Sequence, residues 1–177
     1  MGECLEEIKN GIGGNWNSYP LYGATREGIA PAKEGVGKYP ERYKPVHELT
    51  VFYNPMRILL GSIAFVDEGD RAGITSPDYV VVKGKDKILH SRWFYYWFRS
   101  AYGISLIQSL SRGAVRERIL FNRLSEGEID IPDWKMQLHT AHALKDIVSL
   151  KKKILQEIKT IDAIPSVLLR KAFMGDM

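Results

Sequence analysis

Six apolar residues near the C-terminal end recur every three or four positions: Leu144, Ile147, Leu150, Ile154, Ile158 and Ile161. From Ile147 to Ile161 there are four steps in 14 residues, a mean of 3.5, which is the coiled-coil period. Nothing breaks a helix between Lys135 and Ile164, and Pro165 is expected to interrupt it. Some thirty helical residues reach about 45 Å at a rise of ~1.5 Å each. That exceeds what the preceding residues need for their own core, so one face of the helix has to find a partner. The alternative is a terminal helix lying along its own domain.

The rest of the chain fits one ordinary globular domain. It has 177 residues, 45% hydrophobic and 26% charged, enough to build a core and too few for two full-sized domains. The single cysteine, Cys4, cannot form an internal disulfide and excludes a cysteine-based zinc site. No apolar run approaches the roughly 20 residues that span a bilayer. The first residues, Met1 to Glu7, are acidic rather than basic, so a secretory signal is not expected. A cytoplasmic protein without membrane contact is the default.

Charge is unevenly placed. Residues 1–134 hold 17 basic and 17 acidic side chains, and residues 135–177 hold 8 and 4, which supplies the whole net charge of +4. Within 83–123, nine Lys and Arg are opposed only by Asp86 and Glu117. A basic middle on a neutral domain points to a local anionic partner; a solvated helix face with scattered Arg is the other reading.

Texture along the chain separates 1–134 from 135–177. Residues 1–10 read as a short strand or helical turn, ended by Gly11, Gly13 and Gly14. Residues 15–45 are rich in Gly, Pro and Tyr and predict loops and short strands. Leu49–Tyr53, the apolar run Ile58–Val66, and Tyr79–Val82 read as strands, with turns at Asn54-Pro55 and Asp67–Asp70. Closely spaced strands with short turns argue for an antiparallel or mixed sheet. The spacing of Trp93, Tyr96, Trp97, Ser100 and Ile104 predicts helices over about 89–100 and 103–110. Ser111–Ala114 reads as a loop, and Ile119–Leu124 and Ile129–Ile131 as short strands or extended segments. The fold class is mixed α/β, with short twisted strands and helices, followed by a long C-terminal coiled-coil helix.

Catalytic signatures are sparse. There is no Gly-Lys-Ser or Gly-Lys-Thr, and Gly11-Ile12-Gly13-Gly14 does not open a helix pattern, which argues against phosphate-loop and dinucleotide motifs. His139 and His142 are three apart on the long helix but have no acidic or sulfur partner at metal spacing. Asn54-Pro55-Met56-Arg57 is close to the signature of amino-group DNA methyltransferases yet lacks its second proline and aromatic residue. Asp67, Glu68 and Asp70 with Lys83 or Lys85 could imitate a nuclease cluster, although a turn explains them. No cofactor is expected. What remains is a binding surface in which aromatic and basic residues interleave: Tyr39-Pro40-Glu41-Arg42-Tyr43-Lys44, Thr25-Arg26 in a glycine-flanked loop, and Arg112-Gly113-Ala114-Val115-Arg116-Glu117-Arg118. Arg and Lys neutralise phosphates, and Arg also forks onto guanine edges.

Four segments in order give the chain its likeness. The first is Leu5–Gly14 followed by Tyr19–Thr25. The second is Asn54-Pro55-Met56-Arg57-Ile58-Leu59-Leu60-Gly61-Ser62 running into Gly73–Val81. The third is the aromatic helix Trp93–Arg99 with Ser111-Arg112-Gly113-Ala114. The fourth is Ile129–Pro132 and the ending Ile164-Pro165-Ser166-Val167-Leu168-Leu169-Arg170-Lys171-Ala172-Phe173-Met174-Gly175. Together they resemble one half of the DNA-specificity subunit of type I restriction–modification enzymes. The resemblance implies a target-recognition domain at 1–134 that reads a half-site, and a conserved spacer helix at 135–177. Full-length members carry two such units, whose helices pack antiparallel, and modification subunits that bind S-adenosylmethionine dock on that scaffold. One recognition domain with one helix departs from that plan and implies a homodimer, or pairing with another half-subunit, through Leu144, Ile147, Leu150, Ile154, Ile158 and Ile161. The dimer would address a palindromic bipartite site in double-stranded DNA. Thr25, Arg26, Lys33, Lys38, Arg42, Lys44, Arg71, Arg112, Arg116 and Arg118 are the candidate DNA contacts, and no catalytic residue is expected. The alternatives are a protein–protein adaptor, a truncated specificity fragment that does not bind DNA by itself, or a stand-alone DNA methyltransferase or nuclease.

Overall fold

A computed structural model describes residues 1–111 and 118–174. Two compact units emerge, Met1–Leu138 and His139–Met177.

The first unit is built on a four-stranded antiparallel sheet. Its strands are β1 (Leu5–Glu7), β5 (Thr50–Tyr53), β6 (Ile63–Val66) and β8 (Val80–Gly84), in the order β1-β8-β5-β6. Two antiparallel ribbons accompany it: β2 (Tyr22–Thr25) with β3 (Gly28–Pro31), and β4 (Lys44–Val46) with β7 (Gly73–Thr75). Alternation along the strands fills two cores. Val51, Tyr53, Ile63, Phe65, Val80 and Val82 enter one cluster, while Phe52, Ala64, Val66 and Val81 enter the other. Side chains of successive strand residues leave opposite faces, so a sheet buried on both sides reads as an unbroken apolar run.

Helices cover the first face. Phe94 and Phe98 of α1 (Ser91–Phe98), Ile107 of α2 (Ala101–Ser111) and Leu124 of α3 (Phe121–Ser125) complete that cluster. The ribbons cover the second face through Ala24 and Val46. The expected helices over 89–100 and 103–110 are α1 and α2. The expected strands at Leu49–Tyr53 and Tyr79–Val82 are β5 and β8.

Three expectations need correction. The run Ile58–Val66 is not one strand: Ile58–Leu60 forms a 3-10 turn, Gly61 adopts φ +84°, and β6 begins only at Ile63. A left-handed residue reverses the chain there at low cost because glycine has no Cβ. Ile119–Leu124 contains helix α3 rather than a strand. Ile119 and Leu124 are both buried and lie five residues apart, an odd spacing that would send them to opposite faces of a strand. Finally, α4 (Trp134–Met174) continues through Pro165. Proline withholds one N–H from the carbonyl four residues back, yet a long helix retains its remaining bonds.

The start of α4 is capped by Asp133, whose carboxylate accepts from the Met136 amide at 2.9 Å. Gln137, buried in the first unit, accepts from the His90 amide at 2.8 Å and donates to the carbonyls of Ile88 and Pro132. Among the described residues, no helix is long and apolar enough to cross a membrane.

Candidate nucleic-acid interface

Much of the positive charge between residues 83 and 123 is used inside the fold. Arg92 is 1% exposed and binds Asp67 and Glu68. Burial alone would lower the pKa of its guanidinium, but the hydrogen bonds from Asp67 and Glu68 and their charges outweigh that and raise it. Arg99 donates to the carbonyls of Ile63 (2.9 Å) and Arg26 and to the Tyr95 hydroxyl (3.0 Å), with its guanidinium over the Tyr95 ring. Arg123 donates to the Leu110 carbonyl at 3.0 Å and pairs with Glu126 at 2.8 Å. Lys85 reaches the Gly2 carbonyl at 3.3 Å. For these four residues the structural explanation of the basic stretch applies.

Four other basic groups, Lys9, Lys44, Arg118 and Arg26, lie towards one end of the main sheet. Tyr53 pairs with both Ile63 and Val80, so the end of β5 and the starts of β6 and β8 share that end. Lys9 arrives there from β1, because Glu7 pairs with Val82 and the chain runs on towards Val80. Lys44 is half-buried, and its amino group donates to the Tyr79 carbonyl at 2.7 Å. Burial depresses its pKa, with Lys9 adding to the effect and Glu7 and Asp78 opposing it. Arg118 is held over the Asn54-Pro55 turn: its guanidinium contacts the Met56 sulfur at 3.3 Å, and the Ile119 amide donates to the Pro55 carbonyl at 3.1 Å. At the β6 flank, Arg26 leans on the loop before Ile63, its Nε 3.4 Å from the Leu60 carbonyl oxygen. Four neighbouring strands span about 14 Å at ~4.8 Å per step, comparable with the ~12 Å width of a B-DNA major groove.

The other predicted contacts lie elsewhere or serve locally. The Thr25 hydroxyl donates to the Gly28 carbonyl at 3.1 Å and accepts from the Glu27 amide at 3.2 Å, which closes the β2–β3 turn. Lys33 follows the opposite end of that hairpin, where Tyr22 pairs with Pro31. Arg71 follows the Asp67–Asp70 turn, beyond the far end of β6, and its carbonyl accepts from the Tyr22 hydroxyl at 3.2 Å. Lys38 sits over the exposed Tyr39 ring, 5.5 Å from its centroid. Arg42 is exposed at the end of a 3-10 turn, Pro40–Arg42. Arg112 and Arg116 lie outside the described residues. Arg57, in the Asn54-Pro55 turn segment, is exposed and makes no ion pair among the described residues. Sequence reasoning passed over Lys9; the signal was available in its position two residues beyond a strand and beside the Gly11–Gly14 cluster.

The groups that resembled enzyme motifs are occupied. The Asn54 carboxamide oxygen accepts from the Met56 amide at 2.9 Å and forms the predicted turn. Asp67 is bound to Arg92, and Asp70 accepts from the Asp67 amide at 3.0 Å. Among the described residues, no group of three or more His, Cys, Asp or Glu is placed to hold a metal ion.

In the second unit, Ile147, Leu150, Ile154, Ile158 and Ile161 are exposed, between 46% and 62%, and Leu144 is partly buried. The apolar spacing continues past Ile161 to the exposed Ile164 and Leu168.

Comparison with known proteins bears on the fold and the family. The fold is similar to that of the HsdS subunit from Thermoanaerobacter tengcongensis, with a TM-score of 0.60 and 17% identity over 86% of this chain and 42% of that one. It is also similar to a chain from a structure of the type I R-M system described for its complex assembly and conformational transition, with a TM-score of 0.53 and 17% identity over 100% of this chain and 45% of that one. The chain thus spans less than half the length of either. No curated protein matches the sequence. The type I restriction modification DNA specificity domain matches residues 15–160. With that match across most of its length, the chain belongs to the type I restriction modification DNA specificity domain family.

Proposed function

We propose that this chain is the DNA-reading, non-catalytic subunit of a type I restriction–modification enzyme and that one copy reads one half-site. The observation that carries this reading is the basic end of the main sheet, where Arg26, Arg118 and Lys44 are held by contacts to strands and turns, with Arg42 on the 3-10 turn beside Lys44, in a member of a DNA-specificity family. Arg26 and Arg118 are the candidates for base edges. Lys33, Lys38, Arg42 and Lys44 are the candidates for phosphates, and Arg71, Arg112 and Arg116 complete the proposed contact set.

The exposed stripe on α4 supports a two-chain assembly. Fully burying an exposed Leu or Ile side chain contributes about 1.5–3 kcal/mol, so covering the five half-exposed side chains of the stripe offsets part of the cost of association. Two copies would also supply the length by which the structural neighbours exceed this chain. Twofold symmetry then gives a palindromic bipartite target, with modification subunits carrying out methylation on the assembled scaffold.

Selection from a randomised duplex pool, with and without the modification subunit, tests the reading. An enriched motif of two inverted half-sites is expected. Absence of any enriched sequence in both arms contradicts DNA reading and favours an adaptor.

A further inference from the structure

Beside β1 and β4 lies a cleft of about 330 Å³, lined by Lys9, Gly11, Gly13, Glu41, Arg42 and Lys44. Three cations and one carboxylate leave its lining with a charge of +2. We propose that this cleft seats a single backbone phosphodiester of duplex DNA, with Lys9, Arg42 and Lys44 sharing it. The assignment rests on the DNA-binding function and adds to it a contact, Lys9, and a stoichiometry, three cations to one phosphate.

The walls of the cleft are fixed by the backbone. The Ile12 amide donates to the Tyr43 carbonyl at 2.7 Å, which ties the glycine loop to the turn carrying Arg42. The two segments touch so closely that a methyl group at Gly11 would lie 2.3 Å from the Glu41 carbonyl oxygen and 2.8 Å from the Arg42 Cα. Lys44 spends one N–H on the Tyr79 carbonyl, which aims its ammonium and leaves two donors for a ligand. Lys9 is 74% exposed and is paired only loosely with Glu7, at 3.4 Å; such surface pairs contribute little and exchange readily. Burial disfavours the charged form of Lys44, Glu7 and Asp78 oppose that and Lys9 adds to it; an anion seated beside the ammonium favours the charged form.

Counting phosphates by salt dependence tests the sharing. Each phosphate neutralised on B-DNA contributes about 0.9 to the slope of log K against log salt. With a randomised duplex as probe, the double variant Lys9→Gln/Arg42→Gln, which keeps Lys44 at the seat, is expected to lower the slope by at most about 0.9 in total and to weaken every duplex by the same factor. Both side chains are exposed, so the fold survives; circular dichroism checks this. A drop of about 1.8 overturns the sharing, because each cation would then hold its own phosphate. Weakening of some sequences only assigns the pair to base contact and overturns the seat.

Titration of the 15N-labelled chain with inorganic phosphate forms the second arm. Saturable shifts at the Gly11 and Gly13 amides, lost in the double variant, are expected. Wild-type binding to duplex with the variant unchanged in both arms removes the seat and leaves the DNA function standing. Phosphate binding without any duplex binding keeps an anion seat, removes its DNA assignment and contradicts the proposed function.

Discussion

The Arg92 guanidinium grips the Asp67 carboxylate from the first turn of α1, with Nε 3.1 and 3.2 Å from the two carboxylate oxygens. Arg92 is 1% exposed, and Asp67 ends the apolar run of β6, so this pair clamps a helix to the main sheet. Asp67→Asn removes the carboxylate that the buried guanidinium grips and is expected to cost about 3 kcal/mol in urea unfolding. Replacing Arg92 and Asp67 together by apolar residues of similar volume should cost far less, since desolvation then disappears with the pair. A loss below about 1 kcal/mol for Asp67→Asn contradicts the clamp.

The Tyr53 hydroxyl is buried without a hydrogen-bond partner among the described residues. Tyr53→Phe removes an unsatisfied polar group and is expected to raise stability by about 1 kcal/mol. Burial also pushes the Tyr53 pKa up, with Glu7 adding to it, and burial raises Tyr95 and Tyr96 as well. A raised folded pKa gives stability that is complete below the unfolded value near 10 and is lost as pH climbs above it. Stability should therefore fall above pH ~10, and less steeply in Tyr53→Phe by up to ~1.4 kcal/mol per pH unit. Denaturation series at pH 9 to 11 measure both effects; equal slopes for the two proteins contradict this account.

Thr25 and Arg118, both candidate DNA contacts, have different surroundings in the structure. Thr25→Ala removes the hydroxyl that closes the β2–β3 turn and should cost about 1 kcal/mol of stability while leaving the enriched DNA motif unchanged. Arg118→Ala should leave stability within about 0.5 kcal/mol and relax preference at one base position by about 1–3 kcal/mol. Thermal melts together with binding to single-mismatch duplexes separate the two. A Thr25 variant with altered sequence preference, or an Arg118 variant with none, reverses these assignments.

Ile154→Glu places a charge on the α4 stripe. If the stripe is a seam between two chains, the cost is several kcal/mol, and sedimentation at micromolar concentration should show two chains for the wild type and one for the variant. A single-chain mass for the wild type contradicts self-pairing.

Local patterns carried most of the fold into the sequence. Val51, Phe52 and Tyr53 are apolar on both faces of a strand, and α1 announces itself through aromatic residues at helical spacing. The ribbon β4–β7 was not legible, because Lys44-Pro45-Val46 and Gly73-Ile74-Thr75 are too short for a period and gain their order from each other. The candidate site was proposed from residue type, and its placement was not legible. Arg92, Arg99 and Arg123 look like surface cations until distant carboxylates and carbonyls are brought to them. Lys9 becomes a neighbour of Lys44 only through the pairing of β1 with β8.

The most direct test of the whole account is to map methylated adenines in DNA from cells expressing this chain with a modification subunit. The account predicts one motif of two inverted, identical half-sites at a fixed separation, set by two copies of α4. Methylation at a single half-site, at unrelated half-sites, or at no consistent sequence would contradict it.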